Sequence, residues 1–127
     1  MNHEKISTEA APAAIGPYSQ AVRAGDLVFF SGQIPLKPDG NMVTGGIEEQ
    51  TRQVLDNMAA LLEASGLGFG DVVKTTIYLT DLDDFTSVNE LYGRHFSGVA
   101  PARACVQVAA LPKGAAIEIE WVARSIE

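Results

Sequence analysis

The chain has 127 residues, and domains usually run to about 100–200 residues, so a single domain spanning 1–127 is expected. Hydrophobic residues make up 46% and charged residues 20%, the balance of a folded globular chain and the wrong one for disorder. Nine basic residues scattered among 16 acidic ones leave a net charge of −7, which argues against a nucleic-acid partner. One cysteine excludes an intramolecular disulfide and a cysteine-rich zinc site, and suits a reducing compartment.

Residues 1–10 (MNHEKISTEA) are polar where a signal peptide needs an apolar stretch, and they read as a flexible tail. No apolar run approaches the roughly 20 residues of a membrane span, so a cytoplasmic protein with no membrane partner is expected. Pro12, Gly16 and Pro17 punctuate a loop. From Tyr18 the chain reads as a strand that turns at Gly25–Asp26 into a second strand, Leu27–Ser31. Pro38–Asp39–Gly40 marks a turn, with Asn41–Thr44 a short strand after it.

Ile47, Thr51, Val54, Leu55, Met58, Leu61, Leu62 and Ser65 recur at helical spacing, which predicts an amphipathic helix over 47–65. Gly66 is its natural stop. Residues 71–80 (DVVKTTIYLT) are dense in β-branched side chains and predict a strand. Asp83 or Asp84 can cap a second helix whose buried stripe is Phe85, Val88, Leu91, Tyr92 and Phe96. Two further strands, near 102–109 and 116–124, flank the turn Leu111–Pro112–Lys113–Gly114. The order β-β-α-β-α-β-β is that of an α+β sheet with two helices on one face.

The last two strands carry the unusual residues. Ile117, Ile119 and Trp121 suit the face under the helices, leaving Glu118, Glu120 and Val122 on the other. In the preceding strand Ala102, Ala104, Val106 and Val108 alternate with Arg103, Cys105, Gln107 and Ala109, and the Arg103 set is placed on the same second face as Glu118. That face mixes acids and a guanidinium with apolar groups, which invites a partner subunit. A charge trapped there needs a pair or a ligand.

Other candidate chemistry is thin. His3 and His95 are far apart and show no metal-ligand spacing, so no metal site is expected. The glycines of Gly66–Leu67–Gly68–Phe69–Gly70 follow a helix and precede a strand, the wrong order for a phosphate-binding helix start. Lys74 is better read as a solvent-facing lysine than as a Schiff-base residue, and Cys105 as a structural thiol than as a nucleophile. The residues by themselves give an Arg–Glu site and do not choose a reaction.

The order APAAIGPYSQAV, VFFSGQIPL, QTRQVLDN, DVVKTTIYLTDLDDFTSVNELY and PARACVQVAALPKGAAIEIEWVA resembles the Rid family of reactive intermediate/imine deaminases, from about Ala11 to Arg124. The resemblance implies a chorismate-mutase-like fold in a homotrimer, with sheets facing inward and clefts between subunits. It implies hydrolysis of 2-imino acids, or their enamine tautomers, to 2-keto acids and ammonia, with no metal and no organic cofactor. Carried over residue by residue, Arg103 of Pro101–Ala102–Arg103 matches the arginine that clamps the substrate carboxylate. Glu118 matches the glutamate that positions the attacking water. Tyr18 lines the cleft, Ser31 and Gly32 offer hydroxyl and backbone contacts, Asn89 matches a frequently retained position, and Cys105 contributes mainly through its backbone.

The connection before Pro101 looks shorter than in some relatives, and Ala104 stands where some have serine. Two other functions compete with this reading: a related deaminase acting on an aminomuconate-like substrate, and a non-catalytic trimer that binds a carboxylate ligand. Relatives have also been described as ribonucleases, which the net charge of −7 opposes here.

Overall fold

A computed structural model describes residues 3–125. One sheet of six strands runs in the order β1-β2-β3-β6-β4-β5, where β1 is Glu4–Ile6, β2 Ala21–Ala24, β3 Leu27–Gln33, β4 Val72–Leu79, β5 Ala102–Gln107 and β6 Ile117–Arg124. Helices α1 (Ile47–Ala64) and α2 (Phe85–Gly93) lie between β3 and β4 and between β4 and β5 in sequence. Every neighbouring pair is antiparallel except β4–β5, whose parallel pairing needs the α2 crossover.

The hairpin turns at Gly25–Asp26 as the sequence predicts, with Gly25 at φ 62°, a conformation glycine enters without a Cβ penalty. Helix α1 also falls where its periodicity places it, burying Val54, Leu55, Met58, Leu61 and Leu62. It ends in a Schellman motif: Leu67 N donates to Leu62 O at 2.8 Å and Gly66 N to Glu63 O at 2.9 Å, with Gly66 at φ 76°. Its first turn is closed by Glu49, whose Oε1 accepts from Gly46 N at 2.9 Å.

Three local expectations need correction. Residues 4–6 pair with β2 instead of belonging to a flexible tail, because backbone pairing with Ala21–Arg23 does not require an apolar side-chain pattern. The side-chain cap before α2 comes from Asp81, which accepts from Asp83 N at 2.9 Å and starts a single 3-10 turn, while Asp84 occupies the helix cap position without a side-chain bond. Asn41–Thr44 contributes an isolated bridge, Leu36 to Met42, and no strand.

Both helices cover one face of the sheet. Val28 and Phe30 of β3, Ile77 and Leu79 of β4, and Ile117, Ile119, Trp121 and Ala123 of β6 are buried there with the apolar stripe of α1. Trp121 stacks on Phe30 with ring centroids 4.6 Å apart. No helix covers the opposite face among the described residues, and Leu27, Phe29 and Val106 remain 37%, 46% and 43% exposed.

Candidate active site

The register fixes which face each candidate side chain occupies. Arg103 pairs with Thr75, Cys105 with Ile77 and Gln107 with Leu79, and the β4 members of these pairs belong to the covered face. Glu118 pairs with Tyr78, and Glu120 with Thr76, on the uncovered face. The expectation that Arg103 shares a face with Glu118 is therefore wrong: the two project from opposite sides of the sheet. Alternation along a strand divides its residues into two sets, but only the pairing to a neighbour says which set meets the helices. Ala102 and Ala104, which look like packing residues, are on the uncovered side.

The candidates thus fall into two half-sites. In the first, α2 presents Phe85, Asn89 and Tyr92, spaced i, i+4 and i+7, toward the exposed Arg103 at the rim of the covered face. Asn89 Oδ1 accepts from Arg103 Nη1 at 2.6 Å, and the guanidinium carbon lies 5.2 Å from the ring centres of both Phe85 and Tyr92. These contacts set the fork's plane. No carboxylate lies within ion-pair distance of Arg103 among the described residues. A groove of about 380 Å³ opens here, walled by Asn89, Tyr92, Phe96, Pro101 and Arg103.

Cys105 stands two residues along the same side of β5 and is half-buried. Burial pushes its thiol pKa up, with the Arg103 charge opposing, so the group is a neutral thiol near pH 7. That agrees with the structural reading of this cysteine.

The second half-site is a cleft of about 590 Å³ containing Tyr18, Ser31, Gly32 and Glu118. Between β3 and β6 the pairing passes from Phe30–Trp121 to Gln33–Ile119, so β3 carries one extra residue and bulges at Ser31–Gly32. The Glu118 carboxylate lies over this bulge. A Cβ at position 32 would sit 2.9 Å from its Cδ and 3.2 Å from its Cγ, so any larger residue there would displace the carboxylate from this place. Burial, then the neighbouring Glu120, raises the Glu118 pKa. No donor to this carboxylate is present among the described residues, which leaves its lone pairs for a ligand or a water.

Ser31 is committed elsewhere: its Oγ donates to Ser19 O at 2.5 Å and its backbone N to Gln20 O at 2.9 Å, so it shapes the bulge. Tyr18 is 54% exposed, with its ring at the cleft edge.

Two buried amides that hold this cleft escaped the sequence reading. Gln20 Nε2 donates to Pro12 O at 2.8 Å and Gln20 Oε1 accepts from Thr8 N at 2.8 Å, tying down the loop that leads to Tyr18. Asn57 Nδ2, on α1, donates to Leu36 O at 2.9 Å and holds the chain that leaves β3. An amide at a buried helical position, as Asn57 is within the α1 stripe, was the available signal. His95 packs on Phe69 and belongs to neither half, and Lys74 is exposed on the uncovered face, as its solvent-facing reading requires. No group of three or more metal-ligating side chains occurs among the described residues. Among the described residues no helix is long and apolar enough to cross a membrane.

Residues 8–125 match the family model described as Endoribonuclease L-PSP. The human protein named 2-iminobutanoate/2-iminopropanoate deaminase is 54% identical over 119 residues, which cover 93% of this chain and 87% of the human one. The Arabidopsis thaliana protein named Reactive Intermediate Deaminase A, chloroplastic, is 55% identical over 124 residues, 97% of this chain and 66% of that one. Among solved structures, E. coli TdcF with bound serine superposes with a TM-score of 0.91 at 43% identity, covering 97% of this chain and 99% of that one.

Proposed function

The chain belongs to the Rid family of reactive intermediate deaminases, and on that premise we propose that it hydrolyses 2-imino acids, such as 2-iminobutanoate and 2-iminopropanoate, to 2-keto acids and ammonia. The observation that carries the mechanism is the separation of two unpaired charges. Among the described residues Arg103 has an oriented fork and no acid, while Glu118 has a carboxylate and no donor, with the sheet between them. One chain cannot close these halves on one small substrate. Two copies can, with the Arg103 groove of one subunit set against the Glu118 cleft of the next, and a closed ring of three repeats that contact at every interface. The apolar groups on the uncovered face support such an assembly.

In the composite site the Arg103 fork binds the substrate carboxylate through two parallel charge-assisted hydrogen bonds, which fixes the imine carbon relative to the facing subunit. Glu118 of that subunit accepts a hydrogen bond from a water and takes its proton as the oxygen attacks the C=N carbon. The product is a carbinolamine. The proton then passes from Glu118 to the nitrogen, the C–N bond breaks as the hydroxyl proton returns to the carboxylate, ammonia leaves and the keto group forms. A protonated imine nitrogen makes the carbon electrophilic enough for attack by this water. Gly32 leaves the carboxylate room to approach the bulge, and Tyr18 closes the cleft edge. A cytoplasmic setting belongs to the same proposal and is consistent with a single free thiol.

The test uses a threonine dehydratase to generate the imine in place, with semicarbazide as a competing trap. The protein should speed release of 2-oxobutyrate and reduce semicarbazone, and Arg103→Ala and Glu118→Gln should each abolish the effect. Mixing the two inactive variants under subunit exchange should restore activity to about a quarter of the sites, the fraction in which an intact arginine meets an intact glutamate in a random ring. No restoration, with mixed oligomers demonstrated, would place both groups in one chain's site and overturn the composite reading.

A further inference from the structure

Beneath Arg103 lies a polar pair that packing does not require. Tyr92 OH and Thr75 Oγ1 are 2.7 Å apart, and both residues are buried. Thr75 is the polar member of the covered face of β4, whose other members are Val72, Ile77 and Leu79. A phenylalanine and a valine would fill the same space without two hydroxyls to desolvate, and a buried hydroxyl that loses its partner is costly. The pair therefore gains orientation, since a hydrogen-bonded phenol cannot slide or tilt as a phenyl ring can. What it orients is legible in the register. Thr75 lies beside Arg103 in the β4–β5 ladder, and the Tyr92 ring it holds is one of the two on which the guanidinium rests. The other ring, Phe85, has no polar anchor.

We propose that the Thr75–Tyr92 hydrogen bond is a positioning device for Arg103: it locks the aromatic plane under the guanidinium and thereby sets the pitch at which the fork meets a substrate carboxylate. The proposal rests on the carboxylate-binding role of Arg103 given above. The two hydroxyls are engaged with each other, so the hydrogen bond acts through the arginine.

The experiment measures 2-oxobutyrate binding by calorimetry and KM and kcat for the imine, using Thr75→Val, Thr75→Ser and Tyr92→Phe in the full chain. Thr75→Val and Tyr92→Phe should each weaken 2-oxobutyrate binding and raise KM about three- to tenfold, the effect of one hydrogen bond, with kcat falling by less. Thr75→Ser, which keeps the hydroxyl, should restore most of the affinity. Placed in an Arg103→Ala background, the same substitutions should change 2-oxobutyrate binding no further.

Wild-type binding in folded Thr75→Val and Tyr92→Phe would overturn the proposal, as would equal losses with and without Arg103. If Tyr92→Phe fails to fold, the contrast between Thr75→Val and Thr75→Ser still decides. An Arg103→Ala chain that binds 2-oxobutyrate as tightly as wild type would overturn the carboxylate role itself, and so fails differently from an Arg103-dependent site indifferent to Thr75.

Discussion

The two faces of the sheet are built to different rules. Under the helices the apolar residues are buried, and three polar groups there are matched, Thr75 with Tyr92, Asn57 with the Leu36 carbonyl and Ser65 with the Leu61 carbonyl, whereas Thr51 Oγ1 and Trp121 Nε1 are buried without a partner among the described residues. On the uncovered face Glu118 and Glu120 share a strand with Val122, and Leu27, Phe29 and Val106 stay partly in water. The first face stores stability. The second holds a half-buried acid whose ionised form the fold penalises, a burden that makes sense where a carboxylate must meet a ligand. Arg103 is on the rim of the first face, so the sheet itself is the partition between two groups proposed to act together.

Substitutions can break this contrast or sharpen it. The largest effect is expected from the charged pair: Arg103→Ala or Glu118→Gln should lower kcat/KM by at least about a hundredfold, since each removes a whole function of the site, orientation or proton transfer. Retention of activity in either variant would dissolve the division of labour. Next comes packing. Ile119→Ala, fully buried, should cost about 2–5 kcal/mol in denaturant titrations. Val122→Ala, three residues along β6 on the uncovered face, should alter chain stability by less while weakening self-association measured by sedimentation. Equal losses would mean that the two faces are equally core-like.

Gly32→Ala should follow, lowering kcat about tenfold or more by pushing the Glu118 carboxylate off the bulge, with little change in the melting temperature. A variant with normal kcat would show that the carboxylate's place over the bulge is irrelevant.

The smallest effect is on pH dependence. The folded-state pKa of Glu118 is raised, so the folded chain holds this proton more tightly than the unfolded one. The associated stability is complete below the ordinary carboxylate range and is lost as pH rises through the raised value. Glu118→Gln should therefore melt slightly higher than wild type at pH 7, with the difference closing on acidification. Catalysis should run the other way, its acid limb lying above the ordinary carboxylate pKa because the ionised form is the base. A wild-type chain more stable than Glu118→Gln at pH 7 would reverse the sign assigned to burial.

Much of the fold was written in local pattern. The α1 stripe from Thr51 to Leu62, the stop at Gly66 and the Gly25–Asp26 turn each carry their signal within a few residues. Arg103 and Glu118 were legible as the unusual charges, whereas Ser31 and Gly32 were named as site residues only through the family resemblance. Their placement was not. Which side of β5 meets α2 depends on pairing with Thr75, a contact 28 residues away in sequence, and no periodicity within Ala102–Gln107 encodes it. Likewise Glu4–Ile6 joins the sheet through backbone bonds that leave no mark on side-chain pattern. Tyr92 was legible as a buried helix residue; its part beneath the guanidinium needs the third dimension.

Cys105 lies two residues along β5 from the arginine on the same side, and the substrate proposed for that arginine has an imine carbon open to any good nucleophile. A thiolate there would compete with water and trap the substrate as a sulfur adduct. Burial raises the thiol pKa and so disfavours the thiolate, the form of the sulfur that would attack such a carbon.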